Sequence, residues 1–264
     1  MFYLTMIDKQ TIFISGYEGN MYKTTDGGII WKNYDFGSEY LKKIIMLNSQ
    51  NGVIIENPTT IFMTFNGWES YNTFKFDSMF TAYSPKSLTI SDLAMPSENV
   101  IIGIAQRVPN VVIFKSIDKG VNWTIRKGPD SCNRFFFLNE KLGWAIGGKV
   151  GAGLIGYQQK SFIYITLDGG ETWDLIFDSL FYKDCIGFLF NINFKNSNEG
   201  IAVGSTGTIL LTFDGWKIWH LGTSDSIICS NVQTFNSVKF TENGNAVTVN
   251  GSNEIFVIKH LLEK

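Results

Sequence analysis

Charge is scarce in this sequence of 264 residues: Asp, Glu, Lys and Arg together make up 17% of it, and the formal net charge is -2. No run of basic residues is longer than Lys42-Lys43. The sequence therefore lacks the positive patch with which proteins bind phosphate backbones or anionic membranes. It also lacks the roughly 20 consecutive apolar residues that a membrane-spanning helix needs. We expect neither a nucleic-acid partner nor a membrane span.

Cysteine and histidine are also rare. The three cysteines, Cys132, Cys185 and Cys229, are too widely spaced for a disulfide framework, and we expect buried free thiols. His220 and His260 cannot complete a zinc site at the usual spacing. We therefore predict no metal and no cofactor. The first residues lack the charged and apolar regions of an export signal, so the sequence as given carries none, although one could have been removed.

Aromatic residues are abundant, at 15% of the chain with 22 Phe, and the apolar fraction is 44%. Aromatic and β-branched residues favour strands, and this much apolar surface opposes disorder. The composition therefore predicts an all-β protein with a large buried core.

A short segment recurs five times at intervals of 40 to 52 residues, which is the length of one four-stranded antiparallel unit. Its pattern is a hydroxyl residue, any residue, Asp or Asn, two turn residues, two spacers and an aromatic. An Asp or Asn side chain accepts backbone N–H groups within its own turn, and the aromatic opens the next strand. The turn residues are Asp26, Asn66, Asp118, Asp168 and Asp214, followed by the aromatics Trp31, Tyr71, Trp123, Trp173 and Trp219.

These segments resemble the Asp-box, or BNR repeat, of sialidases, sortilin-type receptors, some endoglucanases and photosystem II assembly-factor-like propellers. The resemblance implies a β-propeller and, for the box residues, a structural role. The assembly-factor-like propellers fit best in size and repeat wording, as in residues 199–212. That likeness implies a binding platform for protein partners that uses basic residues of one face, with Arg107, Arg126, Lys127 and Arg134 as candidates here. It also favours an extracytoplasmic location.

A second repeat, an apolar strand followed by a polar hairpin turn, occurs six times. We therefore predict a six-bladed β-propeller of four-stranded antiparallel blades in a single domain. The expected blades are residues 1–38, 39–77, 78–130, 131–180, 181–225 and 226–264. The last has no box and looks one strand short, and we expect it to be completed by or sealed against the first blade, because closure removes exposed sheet edges.

Function is expected on the loops at the end of each blade opposite the box turns. The longest of these loops is predicted at 147–160, with five glycines, as a mobile lid or an insertion. An Asp-Ser pair recurs in four loops, at Asp77, Asp130, Asp178 and Asp225. These carboxylates could ring a site for a cation or for sugar hydroxyls, or could simply form Asx turns, which we favour. Tyr157 and Tyr182 complete the candidate binding residues.

The enzymatic functions of similar propellers fit this sequence less well. Sialidases use an arginine triad from separated blades and an Arg-Ile-Pro motif, whereas this sequence has three arginines in blades 3 and 4 and lacks the motif. The sequence thus predicts a non-enzymatic, monomeric binding or scaffold propeller that engages a protein or a glycan. The alternative is a carbohydrate-active hydrolase that uses the loop Asp residues, since glycoside hydrolysis needs paired carboxylates.

Overall fold

The protein is an all-β, six-bladed propeller, which confirms the predicted fold class. The computed structural model describes residues 3–37, 41–56, 58–76, 88–107, 110–153, 156–179, 186–222, 233–252 and 254–258, with only the backbone of 107, 151–153 and 156–158. These residues form antiparallel sheets, the blades, in which sequential strands a to d are neighbours. The chain divides into two compact units, 1–127 and 128–264. The single domain stays a prediction.

The first unit holds blades 1 to 3, each of four strands. Blade 1 is β1 (Tyr3–Met6), β2 (Ile12–Ser15), β3 (Asn20–Thr24) and β4 (Lys32–Asp35). Blade 2 is β5 (Leu41–Met46), β6 (Gly52–Glu56), β7 (Thr60–Thr64) and β8 (Asn72–Lys75). Blade 3 is β9 (Leu88–Ala94), β10 (Ile101–Arg107), β11 (Asn110–Ser116) and β12 (Thr124–Lys127).

The second unit holds blades 4 to 6. Blade 4 is β13 (Cys132–Phe137), β14 (Gly143–Gly153), β15 (Gly156–Thr166) and β16 (Asp174–Asp178). Blade 5 is β17 (Leu189–Phe194), β18 (Gly200–Gly204), β19 (Ile209–Thr212) and β20 (His220–Leu221). Blade 6 is β21 (Phe235–Phe240), β22 (Ala246–Asn250) and β23 (Ile255–Ile258), so within the described residues it is one strand short, as expected.

The core of each unit lies between neighbouring blades. Strands β6, β7 and β18 are buried on both faces along almost their whole length, whereas the outer strands β4, β8 and β12 are mostly exposed. In the first unit, Phe13 of blade 1 belongs to the same buried cluster as Ile54 of blade 2. In the second, Trp144 of blade 4 stacks on Phe194 of blade 5 with ring centroids 3.5 Å apart. Burial between sheets therefore holds adjacent blades together within each unit.

The c–d turns are closed by side chains of the repeated segment. In blade 4 the Thr166 hydroxyl donates to the Asp168 carboxylate at 2.8 Å and accepts the N–H of Gly170 at 2.7 Å. Asp168 also accepts the N–H groups of Glu171 and Thr172 at 3.0 and 2.9 Å. The same hydroxyl-to-carboxyl or hydroxyl-to-amide bond closes the turns at Asp26, Asn66, Asp118 and Asp214. Each turn thus satisfies its own backbone donors.

The charge of Asp168 makes one turn sensitive to acid. Partial burial raises the pKa of this carboxyl, but hydrogen bonds from Thr172, Thr166 and Glu171 outweigh that effect and lower the pKa to about 2. A lowered pKa stabilises the fold above the ordinary carboxyl pKa of 3.8, and this stabilisation is lost as the pH falls through about 2. Because the group is largely solvent-exposed, we expect a contribution of less than about 1 kcal/mol.

We therefore expect Asp168→Asn to lower the free energy of unfolding by less than about 1 kcal/mol at pH 7. The difference from the wild-type protein should shrink as the pH falls from about 4.5 to 2, because the carboxyl becomes neutral. Urea unfolding across this pH range measures it. Glu140→Gln, on the exposed hairpin of the same blade, is the control. A difference between Asp168→Asn and wild type that does not change with pH would contradict the expectation.

A β-bulge interrupts the innermost strand of blades 2 to 6, just after a buried residue. In blade 2 the bulge lies at Lys42, whose ammonium donates to the carbonyl of Ile90 at 2.6 Å. The next residue, Lys43, forms an ion pair with the buried carboxylate of Asp92. Because a bulge re-aims side chains, both lysines of the Lys42-Lys43 pair contact blade 3.

Candidate functional site

Blade 4 projects a two-stranded ribbon beyond the rest of its sheet. The last row that crosses all four strands pairs Cys132 with Gly147, Gly147 with Phe162, and Phe162 with Asp178. Beyond this row only β14 and β15 pair, through residues 148–153 and 156–161. We call these two segments the ribbon. At about 3.3 Å per residue, six residues extend roughly 20 Å. The prediction of a loop at 147–160 is therefore wrong: most of it is regular antiparallel β-structure.

The base of the ribbon is fixed by the serines of two Asp-Ser pairs. The N–H of Gly148 donates to the carbonyl of Ser131 at 3.0 Å, and the N–H of Ser161 donates to the hydroxyl of Ser179 at 2.9 Å. Ser161 in turn donates its hydroxyl to the carbonyl of Gly187 at 2.8 Å. These bonds hold both ribbon strands where they leave the sheet.

The outer edges of the ribbon are open beyond these bonds. Hydrogen-bonding groups in antiparallel strands alternate between facing the partner strand and facing away. Since the N–H groups of Gly148 and Ser161 point outward, those of Val150 and Gln159 do so too. Among the described residues, no third strand pairs with the ribbon. It therefore offers unpaired backbone donors and acceptors along both sides.

Two of the four loop carboxylates lie near one phenol of blade 4. Burial, together with electrostatic repulsion from Cys132, Asp130 and Asp178, raises the pKa of Tyr164 to about 12. Asp130 is exposed and Asp178 is half-buried. The structure thus brings Asp130 and Asp178 within electrostatic reach of the same side chain. Asp77 and Asp225 lie outside the described residues.

Cys132 is a buried free thiol at the start of β13. Burial and the charge of Asp130 raise the pKa of this thiol, which keeps it protonated at neutral pH. The Tyr164 phenol and the Cys132 thiol, whose pKa values are both raised, are therefore uncharged and weak nucleophiles at neutral pH. Cys185 and Cys229 lie outside the described residues.

The predicted basic candidates are separated or undescribed. Arg126 and Lys127 are exposed on β12 in the first unit. Arg134 is half-buried on β13 in the second, where it donates to the carbonyl of Asn133 at 3.1 Å. The side chains of Arg107 and Tyr157, and the whole of Tyr182, lie outside the described residues. Their binding roles stay predictions.

Sequence reasoning missed two lysines that the ribbon brings together. Lys149 and Lys160 are directly opposite each other across the ribbon. The ammonium of Lys149 lies 5.4 Å from the ring centroid of Phe162. Lys149 is exposed and Lys160 is half-buried. In the sequence, Lys149 lies five residues before residue 154 and Lys160 five residues after residue 155, which would place them opposite each other in a hairpin centred there. This spacing becomes informative only once the two segments are known to pair.

The box turns expose apolar side chains at the opposite end of the blades. Ile29 and Val121 are 83% and 76% exposed. Others lie at Ile30, Ile117, Leu167, Phe213 and Ile218. Single exposed apolar residues are common on protein surfaces, so they do not by themselves define a site.

Two classes of feature are absent from the described part of the chain. No group of three or more His, Cys, Asp and Glu residues gathers there as metal ligands do. No helix there combines the length and hydropathy needed to cross a bilayer.

Comparison with known proteins identifies similar folds. No protein-family model and no curated protein sequence matches the chain. Among solved structures, YCF48 from Cyanidioschyzon merolae is 13% identical with a TM-score of 0.58, over 97% of this chain and 93% of that one. The WD40 β-propeller domain of Doa1 is 10% identical with a TM-score of 0.60, over 97% and 77%. A structure of YCF48 bound to D1 peptide is 15% identical with a TM-score of 0.48, over 97% and 91%.

These similarities support a propeller that resembles YCF48 and WD40 propellers. At 10–13% identity they show a shared fold and nothing finer. They do not confirm the Asp-box and sialidase resemblance, which rests on the turn sequences.

Proposed function

We propose that this chain is a non-enzymatic scaffold propeller that binds a protein partner through the loop end of blade 4, with the ribbon as the main contact. The open backbone edges of the ribbon are the observation that carries this proposal. Exposed strand edges recruit extended segments of other chains, because main-chain hydrogen bonds supply affinity for any sequence that can lie straight. A protein supplies such a segment, whereas a glycan does not.

The ribbon also gains from a partner. An isolated two-stranded hairpin is only marginally stable in water, because it buries little apolar surface. Several of its residues are glycines, which add no packing surface. A third strand from a partner would pair the outward groups of one edge, those of Val150 or those of Gln159, so binding and ordering of the ribbon favour each other.

The chemistry at the base of the ribbon supports binding more than catalysis. The Tyr164 phenol and the Cys132 thiol have raised pKa values and stay protonated at neutral pH. General acid–base and nucleophilic catalysis work best with groups whose pKa lies near the working pH. These two shifts move away from that range, so they do not support a hydrolase at this site.

Excision of the ribbon tests the proposal. Lys149 and Lys160 are directly paired, and by alternation their N–H groups face each other, so residues 150–159 can be replaced by an Asn-Gly two-residue turn that suits a hairpin. The four-stranded part of blade 4 remains, and we expect the unfolding midpoint to change little. We expect peptides selected from a random displayed library on the full chain to lose at least about tenfold in affinity for the excised variant.

Ile117→Ser, at an exposed box turn, is the matched control and should bind the same peptides as the wild-type chain. Selected peptides that bind the excised protein equally well would overturn the proposed site. Enrichment of no peptide, together with a glycan that raises the unfolding midpoint, would overturn the proposed partner class.

A further inference from the structure

The lysine pair at the base of the ribbon places two like charges side by side. Directly opposite residues of an antiparallel pair have Cβ atoms about 4.5–5.5 Å apart, and like charges there repel each other. Among the described residues, neither Lys149 nor Lys160 forms an ion pair. The pair therefore weakens the free ribbon.

The position of the Lys149 side chain is supported by one contact. Its ammonium lies 5.4 Å from the ring centroid of Phe162, within the range of a cation–π interaction. Phe162 is itself buried, at 7% exposure. The positive charge is thus held on one face of the ribbon base, next to the open backbone edges.

The geometry of a β-strand indicates which side chains a paired segment would place on the face that carries Lys149 and Lys160. Alternate side chains of an extended segment point to the same side of a sheet. A segment that pairs with either ribbon edge would place every second residue on the lysine face. Acidic residues at those positions would neutralise Lys149 and Lys160.

We propose that the partner segment is an extended acidic peptide whose alternate Asp or Glu side chains bind Lys149 and Lys160 while its backbone pairs with the ribbon. This inference rests on the proposed function and specifies its ligand chemistry. The ribbon of a second copy of this chain is not a suitable partner, because the lysine pairs of the two ribbons would repel each other.

The test uses a peptide of alternating Glu and Thr residues, titrated against the full chain. It should bind at least about tenfold more tightly than the same peptide with Gln for Glu, and more tightly than a peptide of the same composition with all Glu residues first. Its affinity should fall between about 50 and 300 mM NaCl, because salt screens charges. Lys149→Gln and Lys160→Gln should each weaken binding several-fold.

Lys141→Gln is the matched control, an exposed lysine on the hairpin at the other end of blade 4, and should leave binding unchanged. Equal binding of the Gln peptide, equal competition by inorganic phosphate, or unchanged binding by both lysine variants would overturn the inference. Library peptides that need the ribbon but carry no acidic residues would overturn the inference and leave the proposed function standing. A concentration-dependent dimer that is lost on ribbon excision would show a second copy as the occupant and overturn the inference too.

Discussion

Trp144→Ala is expected to lower the free energy of unfolding by about 3 to 5 kcal/mol, the range for removing a large buried aromatic side chain. Trp144 is completely buried on β14 and stacks on Phe194 at an interplanar angle of 11°. Its loss leaves a cavity between blades 4 and 5 that backbones paired in two sheets cannot close. Urea unfolding followed by fluorescence and circular dichroism measures the change.

The control is Trp144→Phe, which keeps a ring against Phe194. Within the described residues, the buried indole N–H of Trp144 has no hydrogen-bond partner, so its removal costs no hydrogen bond. We expect a loss of less than about 1.5 kcal/mol for the Phe variant, the range of hydrophobic swaps that keep most of the volume. Equal losses for the two variants would show that stacking between these blades is not what the tryptophan contributes.

Gly204→Ala is expected to cost about 2 to 3 kcal/mol, at the upper end for overpacking a buried site. A Cβ atom on Gly204 would lie 1.9 Å from the carbonyl oxygen of Phe188 and 3.0 Å from the Cα of Leu189. Both are backbone atoms, and they are held by the pairing of β17 with β18 and by the bond from the N–H of Ser205 to the same carbonyl, at 2.9 Å. The clash therefore has to be relieved by loss of pairing.

Gly251→Ala is the matched variant for this prediction. Gly251 follows the corresponding strand of blade 6 and donates to the carbonyl of Thr234 at 2.9 Å, as Ser205 does to Phe188. A Cβ atom there meets nothing nearer than 3.9 Å. We expect a change within about 0.5 kcal/mol, as for ordinary surface positions. Similar losses in the two variants would mean that the close approach at Gly204 is not tight.

The turns and the strand pattern were predictable from sequence because their chemistry is local. The Asp168 turn uses side chains and N–H groups within seven residues of one another, so each repeat carries its whole signal. The six hairpins, each an apolar strand followed by a polar turn, were also predictable from the local pattern. That blade 6 has three strands among the described residues was also expected, because its last strand is not followed by a box.

The ribbon and its lysines were not predictable for the opposite reason. Residues 147–153 are rich in glycine, which has low strand propensity, so the pattern indicates a loop. Their pairing is decided by the facing segment, and only the resulting register places Lys149 against Lys160. The bulges of the innermost strands were also missed, because one inserted residue such as Lys42 leaves the local apolar pattern unchanged.

Because the hydrogen bonds of each box turn come from residues of the same turn, one repeat can change in sequence during evolution without affecting the turns of its neighbours. A box turn depends on one hydroxyl, one carboxyl or amide and one aromatic at fixed spacing, while the strands of a blade need only apolar residues in alternation. Blade 2 uses Asn66 in place of Asp, and blade 6 pairs its described strands without a box. Single repeats can therefore drift or lose their signature while their neighbours keep theirs. Homologues of such chains should therefore lose detectable sequence similarity long before they lose similarity of fold.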